Sequence, residues 1–390
     1  MINGTSQPRK QFLDVLRVLA TCAVVLMHVL TGAVDVMDAS IMPEYRGLVL
    51  SVMDLVTWCV PVFLLISGYL FLNPERKISY PVMMRKYCRR IALAILLFGV
   101  PYACSELVVA ERTLRMGMIP EAVRLTLTGN TWSHMWYLYL ILFLYLITPL
   151  LKKMLEAIPV WAVVAVMAVL FLGSSVMPFV NKVWNISSIP VLPDSGVYFL
   201  YYLCGYLFAV REVGVDKGRN AGGQMVESGS VRRAGDNTEW DGETQNMGSR
   251  TWNVWLIAAA VLTMGMILSR TLAGFSIQMA YNYPFTVLLS VLLFAAGQSG
   301  SIQKHRIPWQ EAGTLSFAVY LVHPVYVNLL YKFVKITPFT VLEQCGVQSA
   351  AAGHAVLILL LAVFCLVVLA LATATAWVLR QIPVLRKYVL

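Results

Sequence analysis

Ten apolar stretches dominate the chain, at 11–34, 47–72, 90–110, 134–151, 159–179, 195–210, 252–269, 281–299, 314–331 and 354–379. A helix needs about 20 mainly apolar residues to cross a bilayer core. Lipid satisfies no backbone N–H or C=O, so a spanning segment of this kind must close its own hydrogen bonds as a helix. The expected fold is therefore all-α: a polytopic integral membrane protein of about ten transmembrane helices. Composition agrees, with 59% hydrophobic and 13% charged residues. Soluble domains carry about 25% charge. Half that amount cannot coat a soluble surface, so a soluble enzyme and a disordered chain are both excluded. The first stretch reads as a span and not as a cleavable signal peptide, because it is long and holds Asp14 and Arg17.

Lysine and arginine placement sets the orientation. With the N-terminus inside, 21 of the 30 basic residues fall on inner segments, eight fall on outer ones, and Arg17 is intramembrane. Both termini are thus expected on the cytoplasmic side. The net charge of +10 matches basic segments facing anionic lipid, and nucleic acid is not expected as a partner. Residues 211–250 are rich in Gly, Ser, Asn and mixed charge and read as a flexible cytoplasmic loop within one membrane domain, 1–390. Most of the seven cysteines sit in apolar runs and read as small buried hydrophobes.

Few charges enter the spans: Asp14, Arg17, Asp54, Arg90 and Glu106. Each costs at least about 2.5 kcal/mol in hydrocarbon, so each needs a partner or water. On the first span, Asp14 and Arg17 are neighbours one turn apart. Arg17 and His28 are 11 residues apart, which leaves about 20° between their directions and about 16 Å along the axis. One helix face carries a cation near the inner end and a titratable base toward the outer end. The plain alternative is a snorkelling Arg17 paired with Asp14, and a His28 bonded to a neighbouring helix.

Other polar groups recur within apolar surroundings. Ser67, Gly68 and Tyr69 lie inside the second span, where Gly68 permits close helix approach. Pro324 follows His323 in the ninth span and removes the N–H that Tyr320 would accept from. His134 opens the fourth span, followed by Trp136 and Tyr137, which also suit an interfacial aromatic belt. Arg85, Lys86, Arg89 and Arg90 lead into the third span. They first satisfy the positive-inside rule and attraction to anionic lipid, and the sharper reading is a site for a phosphorylated cytoplasmic ligand. No phosphate-binding loop, zinc-hydrolase or serine-hydrolase motif is present. Five dispersed histidines without a carboxylate pattern do not point to a metal.

In order along the chain, Phe12-Leu-Asp14-Val-Leu-Arg17 with His28, Pro61-Val-Phe with Ser67-Gly68-Tyr69, His134-Met-Trp136-Tyr137, and Ser316-Phe with Tyr320-Leu-Val-His323-Pro324 resemble the signatures of the membrane-bound acyltransferase-3 family. Its members O-acylate bacterial cell-surface carbohydrates. The basic pair of that family entering the third span is matched only loosely, by Lys86 and Arg89 or by Arg85 and Arg89, and Pro101 comes late. No hydrolase or racemase domain follows the last span, so a stand-alone membrane version is expected.

The resemblance implies a multi-pass protein of the bacterial inner membrane. Its donor would be acetyl-CoA or another acyl-CoA, and its acceptor a hydroxyl on a surface or lipid-linked glycan. Arg17, Arg85, Lys86, Arg89 and Arg90 would meet the donor. His28 would act as general base or as an acyl relay, with Asp14 beside Arg17. His323, Tyr320 or Ser67 would orient the base or hold the oxyanion, and Ser67, Tyr69, Trp136 and Tyr320 would contact substrate. A secondary transporter remains open as the rival reading, because buried charges and a Pro-broken span also suit transport. It would depend on Asp54 or Asp14 rather than on His28. A polytopic scaffold without chemistry is the third reading.

Overall fold

Helix α1 (Gln11–Asp35) runs through the middle of the protein, and the other helices are best placed by reference to it. The computed structural model describes residues 10–36, 42–113, 115, 117–184, 186, 191–227, 254–255, 257–266, 280–299, 308–347 and 349–390. In chain order the further helices are α2 (Met42–Val56), α3 (Cys59–Phe71), α4 (Tyr80–Glu111), α5 (Met118–Leu127), α6 (Ser133–Ala157), α7 (Val160–Trp184), α8 (Gly196–Glu227), α9 (Ile257–Met266), α10 (Pro284–Ser299), α11 (Trp309–Phe333), α12 (Pro338–Gln344), α13 (Ala350–Gln381) and α14 (Pro383–Tyr388). No strand occurs among the described residues.

Seven helical segments are long and apolar enough to cross a membrane: α1, the joined α2–α3 (Tyr45–Phe71), α4, α6, α7, α11 and α13. They coincide with seven of the ten expected spans. The expected sixth span lies within α8, the eighth is the shorter α10, and the seventh is described only in part, as α9. The apolar surface is turned outward as well as inward. Leu97, Phe143, Trp161, Val169, Leu359 and Leu366 are all exposed, which water would not tolerate over so wide a belt but lipid does. The protein is a multi-pass membrane protein.

Helices α3, α11, α13, α2 and α10 pack directly on α1, and α8 packs on α3. This makes α1 an inner helix, with 61% of its most apolar stretch buried against 28% for α6 and α7. Glycines set the closest approaches. A Cβ on Gly68 would stand 2.0 Å from the Tyr202 carbonyl oxygen, and one on Gly205 would stand 2.3 Å from that of Leu65. Backbone therefore lies on backbone where α3 crosses α8. Gly313 of α11 instead makes room for a side chain of α1, because a Cβ there would meet that of Asp14 at 2.9 Å.

Two boundaries differ from the composition reading. Helix α4 begins at Tyr80, ahead of the apolar run, because Pro81 is well suited to a first turn. It widens into a π-helical stretch at Met83–Cys88 before becoming regular. Helix α8 continues to Glu227, so the polar segment expected as loop from 211 starts as helix. Glu212 holds that first polar turn by bonds to Lys10, Tyr69 and Gln298. Residues 228–250 of the expected loop lie outside the described residues.

Candidate active site

The stripe expected on α1 opens into two cavities, one at each end. At the Arg17 end, a cavity of about 530 Å³ is lined by four arginines: Arg17 from α1, Arg76 from the segment after α3, Arg90 from α4 and Arg380 from the end of α13. Ser67, Tyr145 and Thr314 also line it. Each guanidinium is held by a partner. Arg17 Nη1 meets Asp14 Oδ1 at 2.8 Å. Arg76 donates to the Leu70 carbonyl at 3.0 Å and to the Tyr87 hydroxyl at 2.8 Å. Arg90 donates to the Val389 carbonyl at 2.8 Å and to that of Leu390. Arg380 donates to Thr314 Oγ1 at 2.5 Å, while its buried Nε has no partner among the described residues. Four permanent cations around one space attract an anion and repel one another until it arrives.

At the other end of the stripe, three histidines from three helices meet. The ring centre of His28 lies 5.1 Å from that of His323 on α11 and 6.2 Å from that of His134 at the start of α6. His134 and His323 are 5.9 Å apart. His323 and His134 are 0% and 2% exposed, and the Nε2 of each has no partner among the described residues. The Val319 carbonyl lies 3.1 Å from His323 Nδ1. A carbonyl only accepts, so the proton belongs on Nδ1, and Nε2 carries the lone pair. Among the described residues no group of His, Cys, Asp and Glu side chains forms a metal-binding set.

Aromatic groups fix this cluster. The Tyr320 hydroxyl donates to the His134 carbonyl, and the Tyr102 hydroxyl donates to the Leu321 carbonyl at 2.5 Å. Tyr102 also stacks on Trp132 at 4.1 Å. A second cavity, of about 520 Å³, reaches His28 and His134 and is lined by Trp136, Tyr137, Tyr281 and Tyr320. Tyr137 and Tyr320 line the arginine cavity as well. The two spaces thus share a wall, built by Tyr137 of α6 and Tyr320 of α11.

The family model described as "Acyltransferase domain" (Acyl_transf_3) matches residues 10–378, which include α1, all three histidines and three of the four arginines. The chain belongs to the acyltransferase-3 family. Neither a curated protein nor a solved structure gave a match. As a member of this family, the protein is a membrane acyltransferase whose all-helical fold has brought a set of cations and a set of imidazoles to the two ends of one helix.

The residues singled out in the sequence divide by location. Asp14 and Arg17 form the expected pair, with Asp14 only 1% exposed. Ser67 lines the arginine cavity, Trp136 the histidine one, and Tyr320 both. Tyr69 lines neither cavity. Its hydroxyl accepts from Lys10 at 2.6 Å and donates to Glu212. Arg85, Lys86 and Arg89 line a separate groove of about 390 Å³ with Lys387 and Tyr388, and Arg90 alone borders both that groove and the large cavity. The structure adds Arg76, Arg380 and His134. The first two carried no signal beyond the positive-inside rule. His134 had its motif and its place at a span end, but nothing in the sequence set it against His28.

Proposed function

We propose that this acyltransferase moves an acetyl group from acetyl-CoA on the cytoplasmic side to a hydroxyl of a surface or lipid-linked glycan, in the inner membrane of a bacterium. The observation that carries this reading is the shared Tyr137–Tyr320 wall between a four-arginine cavity and a three-histidine cluster. Coenzyme A is a polyanion, and guanidinium groups bind its phosphates through paired N–H donors. Arg17, Arg76, Arg90 and Arg380 would hold it, with Arg85, Lys86 and Arg89 as a flanking basic groove. Lys/Arg counting supports the same orientation, because these residues belong to the ends expected inside.

His28 is the general base in this reading. It takes the proton of the acceptor hydroxyl while that oxygen attacks the thioester carbonyl. The carbon–sulfur bond then breaks, the thiolate leaves, and the imidazolium returns the proton to sulfur. The products are the ester and free coenzyme A. A donor held at one face of the shared wall and an acceptor at the other places the reacting atoms without diffusion through lipid. His134, whose Nε2 has no partner among the described residues, lines the same space as His28, where the hydroxyl would sit. Asp14 positions Arg17.

The test uses membranes containing the protein, radiolabelled acetyl-CoA, and the variants His28→Ala and Arg17→Ala. Label is expected on glycan with the unaltered protein and to be strongly diminished with each variant. Undiminished label in both would overturn the mechanism. A response to a proton gradient that depended on Asp54 or Asp14, without label transfer, would favour the transporter.

A further inference from the structure

A third, smaller cavity opens beside the histidines, at the end of the helices opposite to the arginines. Its volume is about 130 Å³, and its wall includes Asp35 from the end of α1, Glu106 from α4, Trp132 and His134 around the start of α6, and Asn328 and Lys332 from α11. It is more than a cluster of acids. His134 is 2% exposed, stands in the cavity wall, and has an Nε2 with no partner among the described residues. Trp132 is fixed against Tyr102, with ring planes 1° from parallel. The cavity therefore has a rigid ring, two carboxylates, an amide, an ammonium group and a buried imidazole, all beside His28, which also lines it.

We propose that this cavity is the acceptor subsite, and that it selects a hydroxyl-bearing sugar unit that is neutral or carries an amine over one that carries a carboxylate. The proposal rests on the acyltransferase reading above. Ionised carboxylates are acceptors only, so Asp35 and Glu106 suit the O–H and N–H donors of such a unit. Two carboxylates against one ammonium leave the space net negative, which repels a uronic acid. The volume is well below the roughly 300–1,000 Å³ of a drug-sized site. It suits one terminal unit of a glycan, with the rest of the chain outside. Asp35 also lines the larger aromatic cavity, so a unit held here presents its hydroxyl between the two spaces, at His28 and His134.

The test measures binding of three soluble probes to the detergent-purified full-length protein: methyl glucosaminide, methyl glucoside and methyl glucuronide. The unaltered protein is expected to bind the glucosaminide about fivefold more tightly than the glucuronide, the scale of one exposed charge pair. The double variant Asp35→Asn/Glu106→Gln should lose that preference, and Lys332→Gln should widen it. The Lys332 variant keeps the test decisive if the double variant fails to fold. Equal binding of all three probes, no binding of any, or a preference unmoved by either variant would overturn the subsite. Acetyl transfer from acetyl-CoA is followed in parallel. Charge-ordered binding without transfer would sink the acyltransferase reading and leave a sugar site; transfer indifferent to probe charge would sink the subsite alone.

Discussion

At one end of α1, four guanidinium groups line a cavity while keeping contact with its surroundings; at the other, three imidazoles from separate helices meet among aromatic rings. The Arg17 side chain is 26% exposed, whereas His323 and His134 are 0% and 2% exposed. The contrast follows from the chemistry of the two side chains. A guanidinium keeps its charge at any working pH, so in a membrane it must have water, a partner or an anion. An imidazole sheds its charge near neutrality and can be enclosed as a neutral donor and acceptor. In the function proposed above, anions gather at one end and protons move at the other, and a single helix, α1, carries a residue of each set.

The difference can be broken most sharply at the histidines. His28→Ala is expected to lower kcat for acetyl transfer by about 10²–10⁴-fold, the range for loss of a general base, with KM for acetyl-CoA little changed. Steady-state kinetics in detergent check this, and a variant altered only in KM would erase the division between the two ends. At the arginine end the pattern should invert. Arg76→Gln and Arg380→Gln should each raise KM for acetyl-CoA about tenfold, roughly the loss of one charge-assisted hydrogen bond, with a smaller change in kcat. Arg89→Gln, outside the cavity, should do less. Raising the salt concentration should shrink all of these differences.

Packing changes give smaller effects that separate the ends by stability. Gly68→Ala forces a Cβ to 2.0 Å from the Tyr202 carbonyl, beside the Ser67 wall of the arginine cavity. Overpacking of this kind costs about 1–3 kcal/mol, read as a lower Tm by circular dichroism. Tyr102→Phe removes the bond to the Leu321 carbonyl and should cost about 1 kcal/mol, with looser positioning of Trp132 seen as altered tryptophan fluorescence. The least change is expected from Glu212→Gln. Burial raises the Glu212 carboxyl, but hydrogen bonds from Lys10 and Tyr69 and the Lys10 charge outweigh it, so the net direction is down. A lowered carboxyl stabilises the fold above its ordinary range and loses that contribution as pH falls through the lowered value. The Gln variant should therefore flatten the acid limb of a Tm-versus-pH curve.

Helical periodicity made much of the site readable. Arg17 and His28 point the same way because 11 residues nearly close three turns, and the structure opens a cavity at each of them. His323 stood out through the adjacent Pro324, and it lies 5.1 Å from His28. Tyr69 shows the same rule working against a motif. It is two residues from Ser67, about 200° around the helix, so the two cannot share a face. Ser67 lines the cavity, and Tyr69 turns toward Lys10 and Glu212. The groove holding Arg85, Lys86 and Arg89 lies next to the π-helical stretch, where regular periodicity no longer predicts direction.

The sequence by itself determined that this chain is helical and membrane-embedded, because no other structure buries so many apolar runs in lipid. It also determined that α1 carries its cation and its base on one face, since that depends only on residues within one helix. Which residues join them was decided by the tertiary structure. Arg76, Arg90 and Arg380 share a cavity with Arg17, and His134 and His323 meet His28, only because separate segments of the chain are folded together at the two ends of α1, with Gly313 making room for the Asp14 side chain. Contacts between helices depend on their neighbours, directions and spacing together, and no local pattern in a single chain encodes all three.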